Sequence, residues 1–243
     1  GGGHEFIAYL DDDDEWLPTK LEMQIAKFRE CDENTALVYC LYYCVLEEIN
    51  IMYCFCPRKV FEGYVYDDLV CSDFIASIFP LVRVKCLTDV GGFDEKMLAC
   101  QDHEMWLRVA EKYKIAFVPK PLAKLHRYHG EHIRAGVQKP IQGHEYMLQK
   151  NKSYYETHER AHWIMLYILS VSYSANGDYR KSCATCLQAI SLQPFRILGN
   201  TKMLVFSLLA PFKAFLRKKY PNFFDRLTIL KQRIKGVEII DIH

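Results

Sequence analysis

The chain has 243 residues, half of them hydrophobic and a quarter charged, with a formal net charge of +1. That is the profile of a soluble globular protein rather than a disordered chain, and the length suits one large domain or one domain with a helical appendage. The balance is uneven, however: residues 1–24 hold Glu5, Asp11 to Asp14, Glu15 and Glu22 against Lys20, whereas Lys213, Arg217, Lys218, Lys219, Arg226, Lys231, Arg233 and Lys235 face only Asp225.

The acidic pole fits a cation and the basic pole an anionic surface. No nucleic-acid partner is expected, because the basic residues lack the interleaved stacking aromatics of a recognisable module.

Phe6 to Leu10 is an apolar run without alternation, which predicts a strand buried on both faces of a parallel sheet. It ends in Asp11, Asp12, Asp13 and Asp14, carboxylates that repel one another unless a cation or free water relieves them. Two readings follow. One is a divalent-metal site at the carboxyl end of a strand, suited to Mg²⁺ or Mn²⁺. The other is a solvated turn capping the helix that starts near Pro18.

Residues 18–31 read as an amphipathic helix with Leu21, Ile25 and Phe28 on one face and Lys20, Glu22, Lys27 and Glu30 outside. Ala36 to Leu46 and Ile51 to Phe55 are expected strands of a hairpin or meander joined by Glu47 to Asn50. Ser72 to Phe79 is expected to be helical, Leu81 to Lys85 a strand, and Lys85 to Asp89 one helical turn. Val90-Gly-Gly-Phe-Asp94 is a turn, because paired glycines reach backbone geometry closed to other residues.

A helix from Gln101 to about Tyr113, with Met105, Val109 and Tyr113 on one face, puts Asp102 at or near its N-cap. There it either only caps or, facing a cleft, takes a proton. Ile115 to Val118 reads as a strand ended by Pro119 and Pro121. The loop beyond holds His126, His129 and His132, at a spacing that matches no closed zinc site.

From about residue 140 the pattern is helical. Leu169, Tyr173, Gly177, Tyr179, Ala189 and Pro194 fall at the spacing of one tetratricopeptide-like hairpin with Asn176-Gly-Asp178 as its turn. Met203 to Phe215 is apolar and followed by Arg217-Lys-Lys219, either a core helix with a basic last turn or a helix lying on an anionic membrane through residues 203–235.

The ten cysteines lie mostly in apolar runs, pointing to a reducing compartment, and neither Cys54-x-Cys56 nor Cys183-x-x-Cys186 has a second pair at zinc-ribbon spacing. With no signal-peptide pattern and no apolar stretch of about 18 residues, the expected location is cytoplasmic, including the inner face of the membrane.

Leu10-Asp-Asp-Asp-Asp-Glu-Trp-Leu-Pro-Thr-Lys-Leu21 resembles the Asp-x-Asp segment of family 2 glycosyltransferases, and Val90-Gly-Gly-Phe-Asp-Glu95 with Gln101-Asp-His-Glu-Met-Trp-Leu-Arg108 resembles their acceptor-side block. Phe61-Glu-Gly-Tyr-Val65 is similar to the segment leading there. The resemblance covers about residues 1–135. It implies an α/β GT-A fold with a Rossmann-like mixed sheet over residues 1–138, followed by a helical extension over 139–243.

It further implies inverting transfer from a nucleotide-sugar donor to a glycan or lipid-linked hydroxyl acceptor, in surface polysaccharide or glycan synthesis. Asp13 would hold Mg²⁺ or Mn²⁺, Asp11 would support through metal water or ribose, and His129 falls where the family contacts metal or diphosphate. Gly91, Gly92, Phe93 and Asp94 would border donor and acceptor. Asp102 would be the base, with Gln101 in place of the usual preceding Glu, and Arg108 would steady the carboxylates or face solvent. Because the family places nucleotide-binding strands ahead of the Asp-x-Asp segment, the chain is expected to lack the base and ribose pocket. The alternative is a non-catalytic interaction module.

Overall fold

The computed structural model describes residues 3–55, 59–128, 138–234, 237 and 239–241. In chain order the elements are β1 (Phe6–Ala8), β2 (Glu15–Trp16), α1 (Lys20–Glu30), β3 (Thr35–Leu46), β4 (Ile51–Phe55), α2 (Tyr66–Cys71), β5 (Leu81–Arg83), α3 (Val84–Asp89), α4 (Gln101–Lys112) and β6 (Lys114–Arg127). They continue as α5 (Gln138–Lys150), α6 (Lys152–Thr157), α7 (Glu159–Ala175), α8 (Tyr179–Leu192), α9 (Ile197–Lys219), α10 (Pro221–Ile234) and β7 (Ile239–Asp241). Two compact units result, one of Gly1–Asp94, Asp102–His129 and Asn222–His243, the other of Glu95–Gln101 and Gly130–Pro221.

In the first unit β3 is the spine, a long apolar and aromatic strand that is buried over most of its length. One of its edges pairs with β6 in parallel, from Thr35 opposite Lys114 to Leu46 opposite Arg127. Its other edge is shared by β5 at Leu37 and Val38 and by β4 from Tyr42 to Leu46, both antiparallel. The order β1-β5-β3-β4-β7, with β6 against β3 and β2 against β6, is a mixed sheet. Phe28 of α1 packs on the sheet with Val38, Phe79 and Val118, and Ile229 of α10 closes a second cluster with Cys44, Leu46 and Tyr53.

Four sequence expectations are corrected here. β1 is not a doubly buried parallel strand: it ends the sheet order, pairs antiparallel with β5 and is half-buried throughout. Five apolar residues in a row do not tell whether one or both faces are covered; Phe6 is covered by Phe28, with ring centroids 4.6 Å apart. The helix expected at Ser72 to Phe79 forms earlier, as α2, where Asp67 and Asp68 sit in the favourable first turn and Pro80 disfavours helix at Phe79.

β6 does not end at its prolines. Register jumps from Cys40 opposite Val118 to Leu41 opposite Pro121, so Pro119 and Lys120 bulge out to solvent and no ladder bond is demanded of Pro119. Finally, Lys20 is fully buried rather than on the outer face of α1.

In the second unit α7 and α8 form a helical hairpin, with Gly177 at φ +86° in the turn and the Asp178 carboxylate accepting from the Lys181 N–H at 3.0 Å. α9 packs on both. Pro211 lies inside α9 and has no N–H to give the Ser207 carbonyl one turn back; the Ser174 hydroxyl of α7 donates to that carbonyl instead. Gly143 of α5 approaches the segment that precedes α4 so closely that a Cβ there would lie 2.6 Å from the Ala99 carbonyl oxygen. No disulfide joins cysteines among the described residues, and Cys56 lies outside them.

Candidate active site

The acidic turn is built between β1 and β6. The Asp14 N–H donates to the Asp11 carbonyl at 3.3 Å, closing the turn. The Asp14 carboxylate accepts from the His126 backbone N–H at 2.9 Å, which pins the turn to β6. Glu15 then enters β2 opposite Lys124, and its carboxylate takes the Lys124 ammonium at 2.8 Å. The His126 ring lies 3.2 Å from Glu15 and pairs through Nδ1 with Glu47.

What remains open is acid. Asp11 and Asp12 are exposed and Asp13 half-buried. The Asp11 carboxylate accepts from the Ser77 hydroxyl at 3.4 Å. Burial pushes the Asp14 carboxyl above the usual range, and the charges of Asp13 and Asp11 push it further, against the His126 hydrogen bond. Hard oxygen donors that repel one another at a solvent-open edge fit a divalent cation bound through one or two carboxylates. No group of three or more His, Cys, Asp or Glu is placed to enclose an ion among the described residues, so such a cation would take its other ligands from water and substrate. His129 and His132 lie outside the described residues.

The glycine loop follows α3. The N–H groups of Gly91 and Gly92 return to the carbonyls of Thr88 and Leu87 at 3.0 and 3.1 Å, which requires φ of +84° and +67° and therefore glycine at both. Arg108 of α4 holds this loop. Its guanidinium binds the buried Glu104 carboxylate through Nε at 2.8 Å and Nη2 at 2.7 Å, and it also donates to the Val90 carbonyl and, at 2.6 Å, to the Gly92 carbonyl. These hydrogen bonds tie the loop to Glu104 through one side chain.

Asp102 stands in the first turn of α4, half-buried, and one of its oxygens accepts from the His103 N–H at 2.9 Å. Gln101 opens the helix and is exposed. The buried His103 ring reaches the Leu69 carbonyl at 2.8 Å, tying α4 to α2. Asp73 is exposed, yet desolvation raises its carboxyl above the usual range, with His103 opposing and Asp102 adding.

An aromatic seam joins these parts. Tyr9, two residues before Asp11, meets Phe93 edge-on at 5.5 Å and Trp106 at 6.4 Å. The acidic turn, the glycine loop with Phe93 and half-buried Asp94, and the helix carrying Asp102 therefore share one region of one unit. Sequence reasoning missed Tyr9, Ser77, Asp73 and the buried Lys20. It also missed Glu104, whose four-residue spacing from Arg108 was a readable signal.

Residues 3–169 match the family model described as Glycosyltransferase like family 2, a stretch that runs through α5 and α6 and into α7. An uncharacterized glycosyltransferase of Methanocaldococcus jannaschii is 29% identical over 160 residues, covering 65% of this chain and 51% of that protein. One from Rickettsia prowazekii is 24% identical over 131 residues, covering 49% of this chain and 39% of its own. The chain thus spans about half or less of the curated relatives named here. Among solved structures, a mannosyltransferase from Pyrobaculum calidifontis in complex with GDP-Man and Mn²⁺ aligns with 89% of this chain and 63% of its own at 16% identity and a TM-score of 0.44.

Proposed function

The chain belongs to Glycosyltransferase like family 2, and from that premise we propose that it serves inverting transfer of a glycosyl group from a nucleotide-sugar donor to a hydroxyl of a glycan or lipid-linked acceptor, in polysaccharide or glycan synthesis. The acceptor oxygen forms a bond to the anomeric carbon as the bond from that carbon to the diphosphate oxygen breaks. The acceptor proton passes to the Asp102 carboxylate, and the electron pair leaves on the diphosphate.

Asp13 and Asp11 would hold a divalent cation, Mg²⁺ or Mn²⁺, which when bound supplies positive charge beside the diphosphate. The glycine loop presents backbone without side-chain bulk to the sugar, and Arg108 fixes that loop relative to the helix of the base. Asp94 would border the sugar, and the family resemblance assigns His129 to the diphosphate side. The observation that supports this reading most is the seam of Tyr9, Phe93 and Trp106, which keeps the acidic turn beside the helix of Asp102.

Asp102→Asn is the direct test, because an amide oxygen still accepts from the His103 N–H but cannot take a proton. Transfer by the full-length protein is expected to fall on the order of 10²- to 10⁴-fold, with donor affinity by calorimetry unchanged. Transfer at the wild-type rate would reduce Asp102 to a helix cap. Asp13→Ala is expected to lose Mn²⁺ binding measured by electron paramagnetic resonance in the absence of any acceptor.

A further inference from the structure

α9 is packed inside out. Its buried positions are Asn200, Met203, Ser207 and Ala210, small or polar except for the methionine. They are held by specific bonds: the Trp163 indole N–H donates to Asn200 Oδ1 at 2.8 Å, the Asn200 amide donates to the Gln193 carbonyl at 2.9 Å, and Ser174 donates to the Ser207 carbonyl. The large apolar side chains Leu204, Phe206, Leu208, Leu209, Phe212 and Phe215 face away and are exposed, Leu208 to 77%. A helix covered by its own core shows the opposite arrangement, and a contiguous apolar face of this kind marks an interaction surface.

The charge around this face identifies what covers it. From Tyr179 to Tyr220 the chain contains no Asp or Glu, while Lys202, Lys213, Arg217, Lys218 and Lys219 accompany the apolar residues along α9. The apolar surface runs through Ile197 and Leu198 in the first turn of the helix to Phe195 just ahead of it, with Phe195 exposed to 94%. Beside it lies a cavity of about 450 Å³ lined by Trp163, Tyr167, Arg196, Leu198, Gly199 and Lys202. The Arg196 guanidinium sits 4.3 Å above the Trp163 ring, and the cavity needs Gly199, since a Cβ there would come within 3.0 Å of Arg196 and 3.1 Å of Trp163. Two cations and an indole at the edge of an apolar face match a phosphate headgroup whose chains lie in that face. No helix is long and apolar enough to cross a membrane among the described residues, which leaves a helix lying in the interface plane.

We infer that α9 seats the second unit on an anionic phospholipid bilayer, with the Leu208 and Phe212 face in the acyl boundary and the basic residues at headgroup level. This is independent of the glycosyl-transfer reading.

The test is co-sedimentation of the full chain with phosphatidylcholine vesicles with and without phosphatidylglycerol, at low and high salt. The wild type is expected to pellet with the anionic vesicles and to be released by salt. Arg217→Gln/Lys218→Gln/Lys219→Gln should bind roughly a hundredfold more weakly. Leu208→Ser/Phe212→Ser, at exposed positions that folding does not need, should lose binding even at low salt. Asp102→Asn should bind as the wild type does, which separates this inference from the catalytic one. Wild type that stays in the supernatant with anionic vesicles overturns the inference. So does a dimer, detected by sedimentation velocity and split by Leu208→Ser/Phe212→Ser, that binds no vesicles; the face would then join two copies of the chain.

Discussion

Lys20 carries the sharpest consequence for stability. Its ammonium is fully buried, donates to Gln24 Oε1 at 2.9 Å and lies 4.5 Å from the Trp16 ring centroid. Gln24 in turn donates to the Val38 and Phe79 carbonyls at 2.7 and 2.8 Å, so the pair fastens α1 to the sheet just behind the acidic turn. Burial pulls the Lys20 pKa from 10.5 down to about 8, opposed by Cys40. Between those values the unfolded chain keeps a proton that the folded chain has released, so folded stability rises with pH across that window.

A shift of that size is worth about 3 kcal/mol when integrated, a cost borne in full below pH 8 and relieved as pH approaches 10.5. Lys20→Met removes the titration and nearly keeps the volume. The Cys40 thiol, raised by burial to about 11, loses stability over an overlapping range. Its contribution is present in both proteins and largely cancels in their difference. Urea unfolding followed by tryptophan fluorescence, at neutral pH and near pH 10, should therefore show wild type gaining about 3 kcal/mol on Lys20→Met as pH rises. Stability curves that run parallel across this range would mean that Lys20 titrates normally and is hydrated in solution.

Arg108→Lys keeps the charge but loses the fork that spans Glu104 and the two loop carbonyls, so the unfolding free energy should fall by about 2 kcal/mol and amide exchange in the Gly91-Gly92-Phe93 loop should accelerate. An unchanged exchange rate would show that the loop holds itself. Ser174→Ala leaves the Ser207 carbonyl without a donor and should cost about 1–3 kcal/mol in urea unfolding. The same change in a Pro211→Ala background should cost less, because the new backbone N–H at position 211 can reach that carbonyl.

By itself the sequence determined the elements whose signal is local. The β3 and β4 strands joined at Asn50, the amphipathic α1 and α4, the paired-glycine turn and the change to helices from about residue 140 follow from periodicity and turn chemistry. The two blocks that carry the family resemblance were likewise readable as short contiguous patterns. Only tertiary structure decided which neighbour covers each face. Lys20 looked like a solvent-facing lysine because helical spacing places it off the apolar stripe, whereas in the fold it lies buried against the Trp16 ring, bonded to Gln24 one turn on.

β6 passes its prolines because Pro119 and Lys120 bulge out of register with β3, a matter settled by a strand distant in sequence. Arg108 reaches the carbonyls of Val90 and Gly92 only after α3 and α4 have packed. In α9 local pattern and packing point opposite ways: the apolar stripe predicts what faces the core, whereas the Trp163 bond to Asn200 and the Ser207 hydroxyl's bond to Ser170 keep those two residues inward and leave the stripe outside. Periodicity reports the chemistry of a face, and hydrogen-bond partners far along the chain decide where that face points.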